Sequence, residues 1–229
     1  MEPQLGPVLA LGKGQSMTDR ARRMSISTKP GRLAACASLA LSALTLMSCA
    51  GHNSQPAPDD AAARRAEAMR LLAEAQKSQN AGKLAQAQDF YVEALKLEPS
   101  AGAGWNNLGL VFMKQGKALE AAEAFKQAAD RLPADPRPYE NLGLLYGERS
   151  HAEDSLKYYM MSLERDPNWL PSLRGMSLQT RKLGRADHTV LDALDRAVML
   201  ENDAGWKPVI ERERMRVRAM VDARDKAEK

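Results

Sequence analysis

Gly102 to Pro133 reads GAGWNNLGLVFMKQGKALEAAEAFKQAADRLP, and its spacing decides the fold. Within it stand Trp105, Leu108, Gly109, Phe112, Ala121, Phe125, Ala128 and Pro133. The same residue types return 34 residues later as Tyr139, Leu142, Gly143, Tyr146, Ser155, Tyr159, Ser162 and Pro167. Pro99 stands one period earlier. A repeat of this length is one two-helix unit that cannot bury its apolar face alone and must stack on its neighbours.

The spacing has a physical basis. Two antiparallel helices approach closely only where side chains are small, which assigns Gly109, Ala121 and Ala128 to the helix seam. Trp105, Leu108, Phe112 and Phe125 fill the space between, each contributing about 1.5–3 kcal/mol when fully buried. Ser155 and Ser162 keep the small volume in the next unit and add hydroxyls, which in a helix bond back to the carbonyl of the preceding turn. Gly116 falls where the first helix ends in a left-handed residue, and Pro133 falls where the second must stop. Asp135 followed by Pro136 reads as an N-cap with proline at the first helical position.

These residues resemble the tetratricopeptide repeat, whose signature places a large residue, a Leu-Gly pair, an aromatic, then Ala, aromatic, Ala and Pro at those offsets. The resemblance implies an all-α fold, a right-handed α-solenoid of helix hairpins. Three units are clear, at about 68–101, 102–135 and 136–169. The first begins at Ala68 and keeps Leu71, Ala75, Gly82, Ala87, Tyr91 and Ala94, with Glu74 and Ser78 at apolar positions, as suits a terminal unit with one uncovered face. A degenerate fourth, 170–202, keeps Leu173, Met176, Ser177 and Gly184, whereas Thr180 and Arg196 break the pattern. A one-residue insertion brings Leu194 and Ala197 into register. The stretch 203–229 places Trp206, Ile210, Val217 and Val221 on one helical face, as a C-terminal helix capping the stack or as a basic membrane-surface or docking helix.

The front of the chain predicts where the repeats work. Arg20, Arg22, Arg23, Lys29 and Arg32 precede the uncharged 15-residue run Leu33 to Met47, which is too short for a membrane span and ends at Leu46-Met47-Ser48-Cys49. This resembles a bacterial lipoprotein signal peptide over residues 1–48, with a start at Met17 or Met24 also compatible. The resemblance implies that Cys49 carries a diacylglyceryl group and becomes the acylated first residue, a palmitate-type anchor held by several chains. Residues 49–60 form a polar, proline-broken tether, followed by the repeat domain over 61–202. Ala50, lacking the Asp that retains such proteins at the inner membrane, implies the outer membrane facing the periplasm.

Charge and cysteine content agree with that processing. Six of the 33 basic and two of the 29 acidic residues precede Cys49, so the remainder carries 27 of each and is neutral. The basic balance belongs to the removed segment, and no nucleic-acid partner is expected. Of the two cysteines, Cys36 lies in the signal core, which leaves no thiol to pair in the repeats.

Catalytic patterns are absent. His52, His151 and His188 show no metal-ligand spacing, no glycine-rich phosphate loop follows a strand, and no nucleophile stands beside a base. No cofactor, metal or small-molecule substrate is expected. Glu120, Glu123, Glu140 and Glu148 read as solvated helix charges. In tetratricopeptide arrays the first helix of each unit lines a concave groove, which implies a partner-binding surface of Asn106, Leu110, Met113, Arg137, Glu140, Leu144, Arg174, Leu178 and Arg181. Such a groove suits a peptide with apolar anchors and an acidic flank. The same leucines serve equally to complete packing between repeats. A two-carboxylate clamp for chaperone tails is not expected, because only Asn107 and, by replacement, Arg137 match it while Leu72, Gln76 and Asn141 do not. The sequence thus predicts a lipid-anchored, non-enzymatic scaffold for assembly or maintenance of a cell-envelope complex. An enzyme or solute-binding protein framed by the repeats, or a structural spacer, are the alternatives.

Overall fold

The structure, a computed structural model, describes residues 58–228, and side chains from residue 60 onward. The signal peptide, Cys49 and most of the tether predicted from sequence lie outside the described residues. Nine helices make up the described chain: α1 (Pro58–Asn80), α2 (Leu84–Leu97), α3 (Gly102–Lys114), α4 (Ala118–Arg131), α5 (Arg137–Glu148), α6 (Ala152–Arg165), α7 (Leu170–Leu183), α8 (His188–Leu200) and α9 (Lys207–Ala227). They pair in succession as hairpins α1–α2, α3–α4, α5–α6 and α7–α8, and the second helix of each hairpin packs on the first helix of the next. No strand occurs among the described residues. The helical region starts at Pro58, three residues before Ala61, because proline's fixed φ is suited to the first helical position.

One turn recurs at the same place in each unit. Gly82, Gly116 and Gly184 close the first helix with φ of +73°, +75° and +64°. Ser150 occupies the equivalent place in the third unit at φ 63°, the single non-glycine residue of this kind among the described residues. The hairpin geometry therefore overrides the preference of an L-residue, at a cost of about 1–2 kcal/mol.

The glycines predicted at the seam are contacts with aromatic rings. A Cβ on Gly109 would lie 2.5 Å from Cε1 of Phe125, and one on Gly143 would lie 2.7 Å from Cδ1 of Tyr159. Tyr159 is gripped from its other side by Gly175 of α7, where a Cβ would intrude still further. Ser155 and Ser162 fill their small positions but do not bond back along their own helix as expected. Ser155 Oγ donates to the carbonyl of Gly143 at 2.6 Å, and Ser162 Oγ donates to that of Pro136 at 3.0 Å. The facing helix is so close that its carbonyls compete successfully with those of the serines' own turn. The cap of α5 falls one residue later than predicted, at Pro136, whose carbonyl accepts the first intrahelical bond from Glu140, while Asp135 Oδ1 accepts the N–H of Arg137 at 2.9 Å from just outside the helix.

An arginine staple, which the sequence reading missed, ties each unit to the one before. Arg131 donates to the carbonyls of Pro99 and of Gln127 in its own last turn, with its guanidinium 5.3 Å above the Trp105 ring. Arg165, 34 residues on, repeats this with Pro133, Met161 and the Tyr139 ring at 3.9 Å. Arg196 reaches the carbonyl of Pro167. Each of these prolines ends a helix whose last carbonyls lack intrahelical partners, and a cation there is also favoured by the helix dipole.

The core is a chain of three apolar clusters. The first two are centred on Tyr91 and Phe125; the third runs from Leu156 through Leu194 and Ala197 to Ile210, Val217 and Val221. The insertion inferred in the fourth unit holds, since Leu194 and Ala197 are fully buried. α7 packs more extensively on α6 than on its hairpin partner α8. α9 lies on α8 and α7 with the predicted face inward, Trp206 partly covered and Met220 exposed, so it caps the stack and its apolar face is occupied. That face also buries Glu213, which accepts from Arg216 and from the Thr180 hydroxyl.

Candidate functional site: the row of first helices

The first helices form a continuous row, with α1 touching α3, α3 touching α5, α5 touching α7 and α7 touching α9. The concave positions inferred from the sequence all lie on this row, and the structure divides them into engaged and available groups.

Asn106 is engaged. It is buried, and its Oδ1 accepts from Asn141 Nδ2 at 2.9 Å, joining α3 to α5. Asn107 donates to Gln76 Oε1 at 3.1 Å, and Tyr91 donates to Gln79 Oε1 at 2.9 Å, so the amides of the first two units also link helices. With Asn107 committed to Gln76, the clamp residue that did match is unavailable for a ligand carboxylate. Leu110 and Met113 pack against the Phe125 cluster and belong partly to the seam. Leu144 and Leu178 are half-buried and join none of the three clusters.

Two of the three groove arginines have internal partners. Arg137 pairs with Asp135 at 2.5 Å, and that guanidinium holds the Asp135 carboxyl below the usual carboxylate range. Arg174 grips Glu201 through Nε and Nη2 at 2.6 and 2.7 Å, with the carboxylate fully covered and the guanidinium over the Trp206 ring. This fork lowers the Glu201 pKa and fastens α7 to the segment between α8 and α9. Nothing in the sequence marks Glu201 as a partner, because the pair spans 27 residues and lies outside the repeat pattern. Arg181 is exposed, and its side chain has no hydrogen bond or ion pair among the described residues.

Glu140 departs from expectation. Rather than a solvated charge, it is half-buried without an ion pair or side-chain hydrogen bond among the described residues, and burial raises its pKa. Burial, with the carboxylates of Glu140 and Glu148 nearby, likewise pushes up the Tyr159 phenol. Glu120, Glu123 and Glu148 are exposed as predicted. His151 and His188 are exposed, the first edge-on to Tyr146 and the second 3.4 Å from Asp225. Among the described residues no three His, Cys, Asp or Glu side chains gather as a metal site, and no helix is long and apolar enough to cross a membrane.

Comparison with known proteins accords with this geometry. Residues 103–134 match the tetratricopeptide repeat family. No curated protein matches the chain. Among solved structures, the first tetratricopeptide domain of Spaghetti (RPAP3) bound to the HSP90 peptide SRMEEVD is similar over 53% of this chain and 96% of its own, at 19% identity and a TM-score of 0.51. MamA 41-end from Desulfovibrio magneticus RS-1 is similar over 58% of this chain and 75% of its own, at 21% identity and a TM-score of 0.51. At such identities the likeness is one of fold. The chain therefore carries a tetratricopeptide repeat at residues 103–134, and its described part has the all-α solenoid fold that such repeats build.

Proposed function

We propose that this protein is a non-enzymatic adaptor, held at a bacterial membrane by lipid on Cys49, that binds a peptide segment of a protein partner along its row of first helices. The observation that carries the reading is the division of that row. Asn106, Leu110, Met113, Arg137 and Arg174 are spent wholly or partly on the fold, while Leu144 and Leu178 remain partly exposed on the helices that also carry Glu140 and Arg181. Two apolar anchors on helices that also carry an unpaired acid and an unpaired base suit an extended or helical peptide. The peptide-bound neighbour supports this use of the fold, though the amide contacts here argue against the same chaperone tail. The lipobox at Leu46 to Cys49 supports anchoring in the envelope, with assembly or maintenance of an envelope complex as the setting.

Two experiments test the halves separately. A photocrosslinking amino acid at Leu144 is expected to trap a protein adduct in cells, whereas one at exposed Lys126 on α4 is not; equal labelling from both sites would refute the groove. Cys49→Ala is expected to release the protein from membranes with its melting curve unchanged. Full membrane retention of that variant, with no fatty-acid labelling of the wild type, would refute the anchor.

A further inference from the structure

The last two helices of the row, α7 and α9, leave between them a cavity of about 240 Å³ lined by Arg181, Val209, Arg212, Glu213 and Arg216. Its charges are not equivalent. Glu213 is buried and neutralised, accepting from Arg216 Nε at 3.0 Å, from Arg216 Nη2 at 2.6 Å and from the Thr180 hydroxyl at 3.2 Å. Arg216 is in turn engaged internally, donating also to the carbonyls of Thr180 and Arg185 and to Met220 Sδ. The lining at this point is a closed, neutral pair. The side chains of Arg181 and Arg212, both exposed, have no hydrogen bond or ion pair among the described residues. The cavity thus presents two uncommitted guanidiniums from facing helices beside an apolar wall, with no free acid among its lining residues to quench them.

We infer that this cavity is a carboxylate-binding subsite in which Arg181 and Arg212 receive an acidic side chain of the peptide that lies along the row of first helices. A guanidinium presents a planar fork of donors that matches a carboxylate. Thr180 of α7 bonds both Glu213 and Arg216 of α9, which holds the two helices together, so the two forks stand on a fixed frame. The occupant is assigned to a peptide by continuity: Arg181 is the last groove position of α7, three residues beyond the partly exposed Leu178. Val209 offers the apolar wall that a side-chain methylene would cover. The assignment rests on the peptide-binding reading of the groove, and it places the acidic part of the partner over α7 and α9, away from Glu140.

The test is a titration of the full chain in detergent micelles, labelled with 15N and with 13C at the leucine methyls, reading arginine Nε–Hε and leucine methyl signals. The probes are acetyl-Leu-Glu-Glu-Leu-amide, its Gln-Gln counterpart and inorganic phosphate. The Glu peptide is expected to shift Arg181 and Arg212 saturably and to bind about tenfold more tightly than the Gln peptide, the effect of one charge-assisted contact. That difference is expected to vanish in Arg181→Gln/Arg212→Gln with the melting curve unchanged, and to persist in Arg224→Gln. Equal binding of the two peptides, an equal loss in Arg224→Gln, or tighter binding of phosphate at the two arginines would each overturn the assignment. The methyls of Leu144 and Leu178 report the groove independently. Responsive arginines beside silent methyls would overturn the groove reading while leaving the subsite standing.

Discussion

Replacing Gly175 by alanine tests how the third and fourth units are joined. The new Cβ would fall inside contact distance of the Tyr159 ring, with Cε1 and Cε2 both at 2.5 Å. The ring cannot retreat toward α5, because Gly143 is already so close that a Cβ there would sit 2.7 Å from it. Tyr159 is also buried against the Leu173 and Met176 cluster, so rotation would open a void. Overpacking of this kind costs about 1–3 kcal/mol, against which alanine regains about 1 kcal/mol of helix propensity over glycine. Because several ring atoms are overlapped at once, the cost falls at the upper end of that range, and the net expectation is a loss of about 2 kcal/mol, or a fall in Tm of about 4–8 °C for a domain of this size. Thermal unfolding followed by far-ultraviolet circular dichroism measures it. In a Tyr159→Ala background the clash has no partner, so Gly175→Ala should become neutral or stabilising. An unchanged Tm in the first comparison, or the same penalty in both backgrounds, would refute the account of this seam.

Two further substitutions probe features the repeat pattern does not announce. Arg165→Met removes hydrogen bonds to Pro133, Met161 and Tyr139 and the stacking on the Tyr139 ring, and should cost about 2 kcal/mol in urea unfolding. Loss of its surface pair with Glu164 contributes little of that, as Glu164→Gln alone should show. Glu140→Gln should raise the neutral-pH Tm, because burial holds this carboxyl's folded pKa above its unfolded value and ionisation therefore opposes folding. The penalty is absent below the ordinary carboxylate range and grows as pH rises through that range to the folded value. The difference from wild type should accordingly close near pH 4, and a gap independent of pH would exclude the titration of Glu140 as its source.

Much of the architecture was legible because stacking hairpins imposes a short-range rule on side-chain volume. Gly109, Gly143, Ala121 and Ala128 recur at fixed offsets since a larger residue there would hold the helices apart, and the same rule located the insertion before Leu194. The site was less legible. Asn106 and Asn141 cannot be told from ligand-binding amides by spacing alone, since bonding one another and bonding a peptide require the same residue on the same face. Arg174 has the same ambiguity, resolved only when the segment after α8 delivers Glu201 to it. Glu140 has an ordinary helical-surface spacing and is desolvated only because neighbouring units close around it.

What the sequence determined by itself was the repeat, its period, its turn positions and the face each helix buries, all of which are set by residues within one or two units of each other. The tertiary structure decided which groove charges were left unpaired. That outcome depends on contacts between separate elements, where Glu201 takes up Arg174 while Arg181 and Arg212 are left facing an open cavity. Volume constraints act locally and leave a periodic trace; charge pairing acts across whichever surfaces the fold brings together, and leaves none.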